Sequence, residues 1–273
     1  MTSQFVTVNE TKLHYLSEGQ GDAVLLLHGF PTSSYLYRNV IPEISKTHQA
    51  IALDFPGFGQ SGKSLDSSYS FNFYNDIIDG FLNQLGIGKV TLVVHDLGGP
   101  LGLLWAVRHP EKVEKIVFLN TLVFAEFSYA VKIFMLMTRL PFVKGWLSSP
   151  NGVAWAMRFG VSQKEKLTAE IIKDYQSPFL TSSHQKALLK TVNNLSLKAF
   201  DEIEKKLPLM KVPVQMIYGT GDRILPNVGK TMLRLKSEFP DASIHALDNC
   251  GHFLQEDEPE KIGQLINDFL KSS

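Results

Sequence analysis

Residues 90–110 read VTLVVHDLGGPLGLLWAVRHP. Val90 to Val94 is a nearly continuous apolar run, as in a strand buried on both faces. The run ends at His95, a charged Asp96 follows, and Gly98-Gly99 open an apolar helical pattern that lasts to His109. A strand that turns sharply into a helix holds its turn residue on a strained tip at the carboxyl edge of a parallel sheet. There the side chain is exposed beside the helix N-terminus. The general form is G-x-S-x-G. Here the slots are Val94-His95-Asp96-Leu97-Gly98, with an aspartate in the centre.

Outward from this stretch the same strand character recurs. AVLLLH (23–28), AIAL (50–53), VEKIVFL (113–119), VPVQMIY (212–218) and ASIHAL (242–247) are short and apolar. QFVTV (4–8) and KLHYL (12–16) read as two further strands joined by the turn-like Asn9-Glu10. Helical patterns lie between them at 35–45, 71–85, 97–109, 226–238 and 257–270. Strands separated by helix-length crossovers predict an α/β fold: a mostly parallel eight-stranded sheet with helices on both faces. From Thr121 to Pro208 only helical patterns and loops occur, among them AVKIFMLMTRL (130–140) and a helix start at Ser149-Pro150-Asn151. The organisation expected is therefore a core of 1–120 and 209–273, with a helical segment, 121–208, inserted after the sixth strand.

Composition bounds the function. The chain has 273 residues, 27 basic and 27 acidic, and a formal net charge of zero. That gives no support to nucleic-acid binding through bulk charge. No apolar run approaches the roughly 18 residues of a membrane span. The N-terminus lacks a basic start and an apolar stretch, so a cytoplasmic location is expected. The one cysteine, Cys250, forbids an internal disulfide. The neutrality hides a division: 121–208 carries 12 basic and 7 acidic residues, and the remainder carries the opposite bias.

An aspartate in the turn changes the chemistry available there. Serine needs a base to become nucleophilic, whereas Asp is ionised near neutral pH. A carboxylate attacks a saturated carbon bearing a leaving group and gives an alkyl ester, which then needs water, a base and an oxyanion hole. Candidates follow in order. Asp222 comes just after the strand of 212–218, and His252 just after the last strand, which is the nucleophile–acid–histidine order of the α/β-hydrolase triad. Asp222 would orient the ring of His252, and His252 would deprotonate water. The loop His28-Gly29-Phe30-Pro31 can supply the Phe30 N–H as one oxyanion donor, with the Leu97 N–H as the other.

With HGFPTSSYLYRNVIP (28–42), DFPGFGQSGKS (54–64) and VTLVVHDLGG (90–99), the chain resembles the aspartate-nucleophile α/β-hydrolases, the haloalkane dehalogenases and epoxide hydrolases. The resemblance implies Asp96, His252 and Asp222 as catalytic residues, the insert as a cap, and no metal or organic cofactor. It implies a small apolar substrate and water as partners, and no particular oligomeric state. Haloalkane dehalogenases usually carry Trp after the nucleophile and many carry Asn after the His-Gly pair, both to hold the halide. Here these are Leu97 and Phe30. Epoxide hydrolases commonly have Phe at the latter place, but have Gly where Val94 stands, as dehalogenases do not. They also place cap tyrosines to protonate the epoxide oxygen, for which Tyr129 and Tyr175 are available. Asn120, where some dehalogenases carry the acid, is an amide and cannot be that acid, which favours Asp222; a hydrogen bond donated in the pocket is the role left to it. The expected activity is hydrolysis at an electrophilic sp³ carbon, epoxide ahead of carbon–halogen.

Three other readings compete. Gly57 to Ser64 fits the phosphate-binding pattern G-x-x-x-x-G-K-[ST], which would make a nucleotide hydrolase. No apolar helix face follows Lys63, which favours a surface turn. A non-catalytic receptor on the same scaffold and a cofactor-free oxygenase or lyase are the others. Cys250 and one nearby His fall short of a zinc site. His28 and His95 read as structural. Trp146, Trp155, Met135 and the 130–140 helix read as packed interior, with one of the three side chains lining a pocket.

Overall fold

A computed structural model describes residues 1–127, 129–194 and 196–271. Ser128 and Leu195 of the insert, and Ser272 and Ser273 of the core, lie outside the described residues. Among those described, eight strands form one sheet: β1 (Thr2–Val8), β2 (Thr11–Glu18), β3 (Ala23–Leu27), β4 (Gln49–Leu53), β5 (Val90–Asp96), β6 (Val113–Thr121), β7 (Val214–Gly219) and β8 (Ser243–Leu247). Their order is β1-β2-β4-β3-β5-β6-β7-β8. β2 runs antiparallel to both β1 and β4, and every other pairing is parallel. All of β3 and β5 is buried, which is why these segments read as continuous apolar runs. Asn9 and Glu10 take positive φ in the tight β1–β2 turn.

The helices that cover the sheet begin with α1 (Ile41–Ile44), α2 (Phe71–Gln84) and α3 (Gly98–Arg108). The helical segment between β6 and β7 contains α4 (Tyr129–Met137), α5 (Pro141–Leu147), α6 (Pro150–Gly160), α7 (Ala169–Gln176), α8 (Ser182–Asn193) and α9 (Leu197–Lys206). Then come α10 (Val228–Glu238), α11 (Leu254–Asp257) and α12 (Pro259–Lys271). Ser149 caps α6, its hydroxyl accepting from the Gly152 N–H. β6 extends to Thr121, so the first residue assigned to the insert still belongs to the sheet: its hydroxyl donates to the Asp96 carbonyl at 2.7 Å.

The carboxyl ends of β5, β6 and β7 converge on one edge, where open α/β sheets place their ligands. The insert lies along that edge. The His252 N–H donates to the Gly160 carbonyl at the end of α6, at 2.7 Å. The Tyr74 hydroxyl on α2 meets Thr191 Oγ1 on α8 at 2.5 Å. Among the described residues no helix is long and apolar enough to cross a membrane.

Candidate active site

Asp96 ends β5 with φ of 49°, a left-handed conformation that a non-glycine residue keeps only when its surroundings enforce it. The sharp turn aims its carboxylate away from the sheet at the start of α3. The Phe30 N–H donates to Asp96 Oδ1 at 2.7 Å. Gly29 is required beside it: a Cβ there would lie 2.2 Å from Asp96 Oδ1. Asp96 Oδ2 faces His252 Nε2 at 3.4 Å. On the far side of the ring, His252 Nδ1–H donates to Asp222 Oδ2 at 2.9 Å. The other Asp222 oxygen accepts from the Ile224 and Leu225 amides at 2.8 and 2.7 Å. The structure thus brings together Asp96, Asp222, His252 and the Phe30 amide, with Leu97 directly following at the helix start.

Electrostatics follow from this stacking of charges. Burial raises the Asp96 carboxyl, but the His252 ring, His95 and the Leu97 N–H outweigh it and hold it below the ordinary carboxylate value. Burial likewise opposes ionisation of Asp222, and His252 with the Leu225 and Ile224 amides reverses that. Burial pushes the His252 ring down, but the carboxylates of Asp222 and Asp96 raise it to about 10. The resting site therefore holds an imidazolium between two carboxylates. His95 beneath it falls to about 3, through burial and then the His252 charge, and stays neutral. Its Nε2 meets the His252 carbonyl at 2.9 Å, a supporting role. His28 is also structural. Its Nε2 accepts from the Phe55 N–H at 3.1 Å and its Nδ1 faces the Gly29 carbonyl, which shapes the Phe30 loop.

Above Asp96 lies a cavity of about 340 Å³. Its walls are apolar, built from Phe30, Leu97, Phe134, Met135 and Trp155 among others, and Arg223 is the cation among its lining residues. Apolar walls of this kind lower the local dielectric and strengthen charge interactions beside them.

Residues 22–259 match the family described as alpha/beta hydrolase fold. This chain is a member of that family. The hydrolase is 32% identical to the uncharacterized hydrolase YugF of Bacillus subtilis, over 97% of this chain and 95% of the other. It is 30% identical to the cis-3-alkyl-4-alkyloxetan-2-one decarboxylase of Shewanella oneidensis, over 97% and 87%. The solved haloalkane dehalogenase DbeA of Bradyrhizobium elkani is 26% identical and superposes with a TM-score of 0.88, over 98% and 97%. The protein is an enzyme of the α/β-hydrolase fold.

Several expectations change once the hydrolase is seen in three dimensions. Gly57–Ser64 is a turn, with no helix until Phe71. Lys63 Nζ donates to the Gly59 and Ser61 carbonyls of its own loop. It is occupied in closing that loop, and burial pulls it down to about 8. Neither cap tyrosine lines the cavity: Tyr175 donates its hydroxyl to Glu256, and Tyr129 points to solvent. Trp146, Trp155 and most of α4 are not packed interior. Val131 is the one buried α4 residue up to Met137, and Ile133 and Leu136 are exposed. Met135 and Trp155 line the cavity as well. Cys250 is buried, and burial pushes its thiol up to about 12, so it is no thiolate.

Two residues position the site in ways the sequence does not show: Asn120 is expected in the pocket, and nothing in the sequence singles out Asp257. Asn120 Nδ2 donates to Asp222 Oδ2 at 2.7 Å and to the Gly251 carbonyl at 3.0 Å, while its Oδ1 accepts from the Gly219 N–H at 2.9 Å. It braces the acid and the histidine loop and does not face the cavity. Asp257 accepts from the Gly251 N–H at 2.7 Å, and from the Ser162 and Gln163 amides of the insert at 3.0 and 2.7 Å. It ties the His252 loop to the end of α6.

Proposed function

We propose that this enzyme hydrolyses an apolar small molecule at an electrophilic sp³ carbon, through an alkyl ester on Asp96. In this reading residues 1–120 and 209–273 form the catalytic core and 121–208 the cap over it. The observation that carries the reading is the division of labour on one carboxylate. Asp96 lines the cavity; its Oδ1 is held by the Phe30 amide, and its Oδ2 faces His252. Oδ2 attacks the carbon and the bond to the leaving atom breaks. Oδ1 becomes the ester carbonyl, already beside the Phe30 and Leu97 amides that stabilise the tetrahedral oxyanion. A ring oxygen that leaves as alkoxide needs a proton. With no cap tyrosine at the cavity, the His252 imidazolium is the donor beside it. The ring, now neutral and still oriented by Asp222, takes a proton from water as that water attacks Cγ of Asp96.

A strained oxygen ring suits this cavity better than a halide. Departing halide needs donors; the side chains at the two usual places, Phe30 and Leu97, supply none, which leaves Trp155 and Arg223 as the lining residues that carry donors. A second reading has its own support: the 30% identical relative is named for an oxetan-2-one, and Arg223 lines the cavity. Attack of Oδ2 at the ring C4 of an oxetan-2-one releases a carboxylate, which the guanidinium would stabilise. Loss of CO₂ then leaves its electron pair as the alkene bond and expels Asp96 intact.

Single turnover in H₂¹⁸O with a panel of epoxides, oxetan-2-ones and haloalkanes separates the routes. Ester hydrolysis leaves ¹⁸O in the Asp96 peptide and an alcohol as product, and decarboxylation leaves no label and an alkene. An alcohol that alone carries the label would refute the covalent mechanism. His252→Gln should accumulate the Asp96 adduct with substrates whose leaving group needs no proton.

A further inference from the structure

The helices that roof the cavity leave an apolar face uncovered. On α4 and just beyond it, Ile133, Leu136 and Leu140 are 46–60% exposed, and Phe142 at the start of α5 is 94% exposed. Trp146, Trp155 and Phe159 follow as an exposed aromatic series. Trp146 and Trp155 are 5.6 Å apart, and Trp155 stacks on Phe159 at 5.0 Å with an interplanar angle of 8°. Ile133, Trp155 and Phe159 also line the cavity, so the outer face continues into the chamber above Asp96. So many large apolar side chains exposed on neighbouring helices of a folded protein mark a contact surface.

Its charge pattern says what the contact is. From 127 to 164 the sequence holds Lys132, Arg139, Lys144, Arg158 and Lys164 and no acidic residue. All five cations are exposed, and among the described residues none forms an ion pair. Exposed Trp, Phe and Leu among unpaired Lys and Arg is the chemistry of the lipid–water interface. The aromatic and aliphatic groups enter the acyl boundary, and the basic stems reach back to anionic headgroups. A second copy of the chain fits poorly, because a two-fold contact would set these basic residues against one another, and 127–164 holds no carboxylate to pair with them.

We infer that the α4–α6 face of the insert docks on the surface of an anionic lipid bilayer, with the cavity mouth opening towards the acyl region. Apolar substrate would then enter from the membrane and not from water. The docking itself does not depend on which substrate is turned over, so its test needs no turnover.

The test is flotation with vesicles of phosphatidylcholine alone and of phosphatidylcholine with phosphatidylglycerol, at low and high salt, with tryptophan emission read in parallel. Binding is expected on the anionic vesicles, at least tenfold weaker on the neutral ones, and weakened by salt. Emission should shift to the blue as Trp146 and Trp155 leave water, since Trp105 is already buried. Leu136→Glu with Phe142→Glu should abolish binding. Both side chains are exposed and neither lines the cavity, so thermal unfolding should not change. Lys132→Ala with Lys144→Ala should lower partitioning on the order of 25-fold, about fivefold per charge. Absence of binding to anionic vesicles at low salt would overturn the inference. So would full binding by the double glutamate variant. A concentration-dependent dimer in sedimentation velocity that this variant dissociates, with no lipid binding, would assign the face to a second copy instead.

Discussion

The charge state of His252 is measurable without any substrate. In the folded enzyme the ring titrates at about 10, against 6.5 in an unfolded chain. Burial works against the proton, and the carboxylates of Asp222 and Asp96 on its two sides outweigh burial. A group whose pKa rises on folding holds its proton more tightly in the native state. Its contribution is complete below about pH 6.5 and is lost as pH rises towards 10, because unfolding in that window releases a proton. At about 1.4 kcal/mol per pH unit, the whole span is on the order of 5 kcal/mol. His252→Gln removes the titrating ring. Urea unfolding of both proteins, from about pH 6 to about pH 9, gives the assay. The wild-type advantage should shrink by about 1.4 kcal/mol for each pH unit above about 6.5. Taking the difference cancels Lys63 and other groups common to both. Parallel stability curves would refute the reasoning, since they would mean that the ring is not held between two ionised carboxylates.

Three further outcomes follow from the geometry. Gly29→Ala places a methyl against Asp96 Oδ1 and should lower turnover at least 100-fold through loss of about 3 kcal/mol of oxyanion stabilisation, with the far-ultraviolet circular dichroism unchanged. Asn120→Ala strands the Gly219 N–H and the Gly251 carbonyl and should destabilise the protein by about 1–3 kcal/mol in urea unfolding. Steady-state kinetics should show its loss in kcat more than in KM, since Asn120 braces Asp222 and does not line the cavity. Asp257→Asn turns an amide NH₂ or a lone oxygen towards three N–H groups. Its urea midpoint should fall by about 2 kcal/mol worth of stability.

Much of this enzyme was legible locally. The eight strand-like runs fell on eight strands, with boundaries shifted by a few residues; β3 and β5, buried along their whole length, must be apolar whatever their neighbours are. The elbow at Asp96 was legible for the same reason, since a charge and two glycines ending a buried strand admit few conformations. Asp222 and His252 stood out as polar residues just past strand ends. The bracing of that site was not legible. Asn120 and Asp222 are 102 residues apart, and Asp257 joins amides 94 and 95 residues before it. No local pattern encodes such pairs.

The sequence by itself determined the α/β order, the insertion after the sixth strand and the aspartate at the sharp strand-to-helix turn. These depend on periodicity, chain order and side-chain identity, which are local properties. The tertiary structure alone decided that the His252 ring lies between Asp96 and Asp222, which sets its charge. It also decided that Lys63 closes its own loop and that Ile133 and Leu136 of α4 stay exposed. Helical spacing reports that a helix has an apolar face. What that face meets depends on where the rest of the chain lies: here Val131 is buried and Phe134 packs on Phe30, while Ile133 and Leu136 are left exposed.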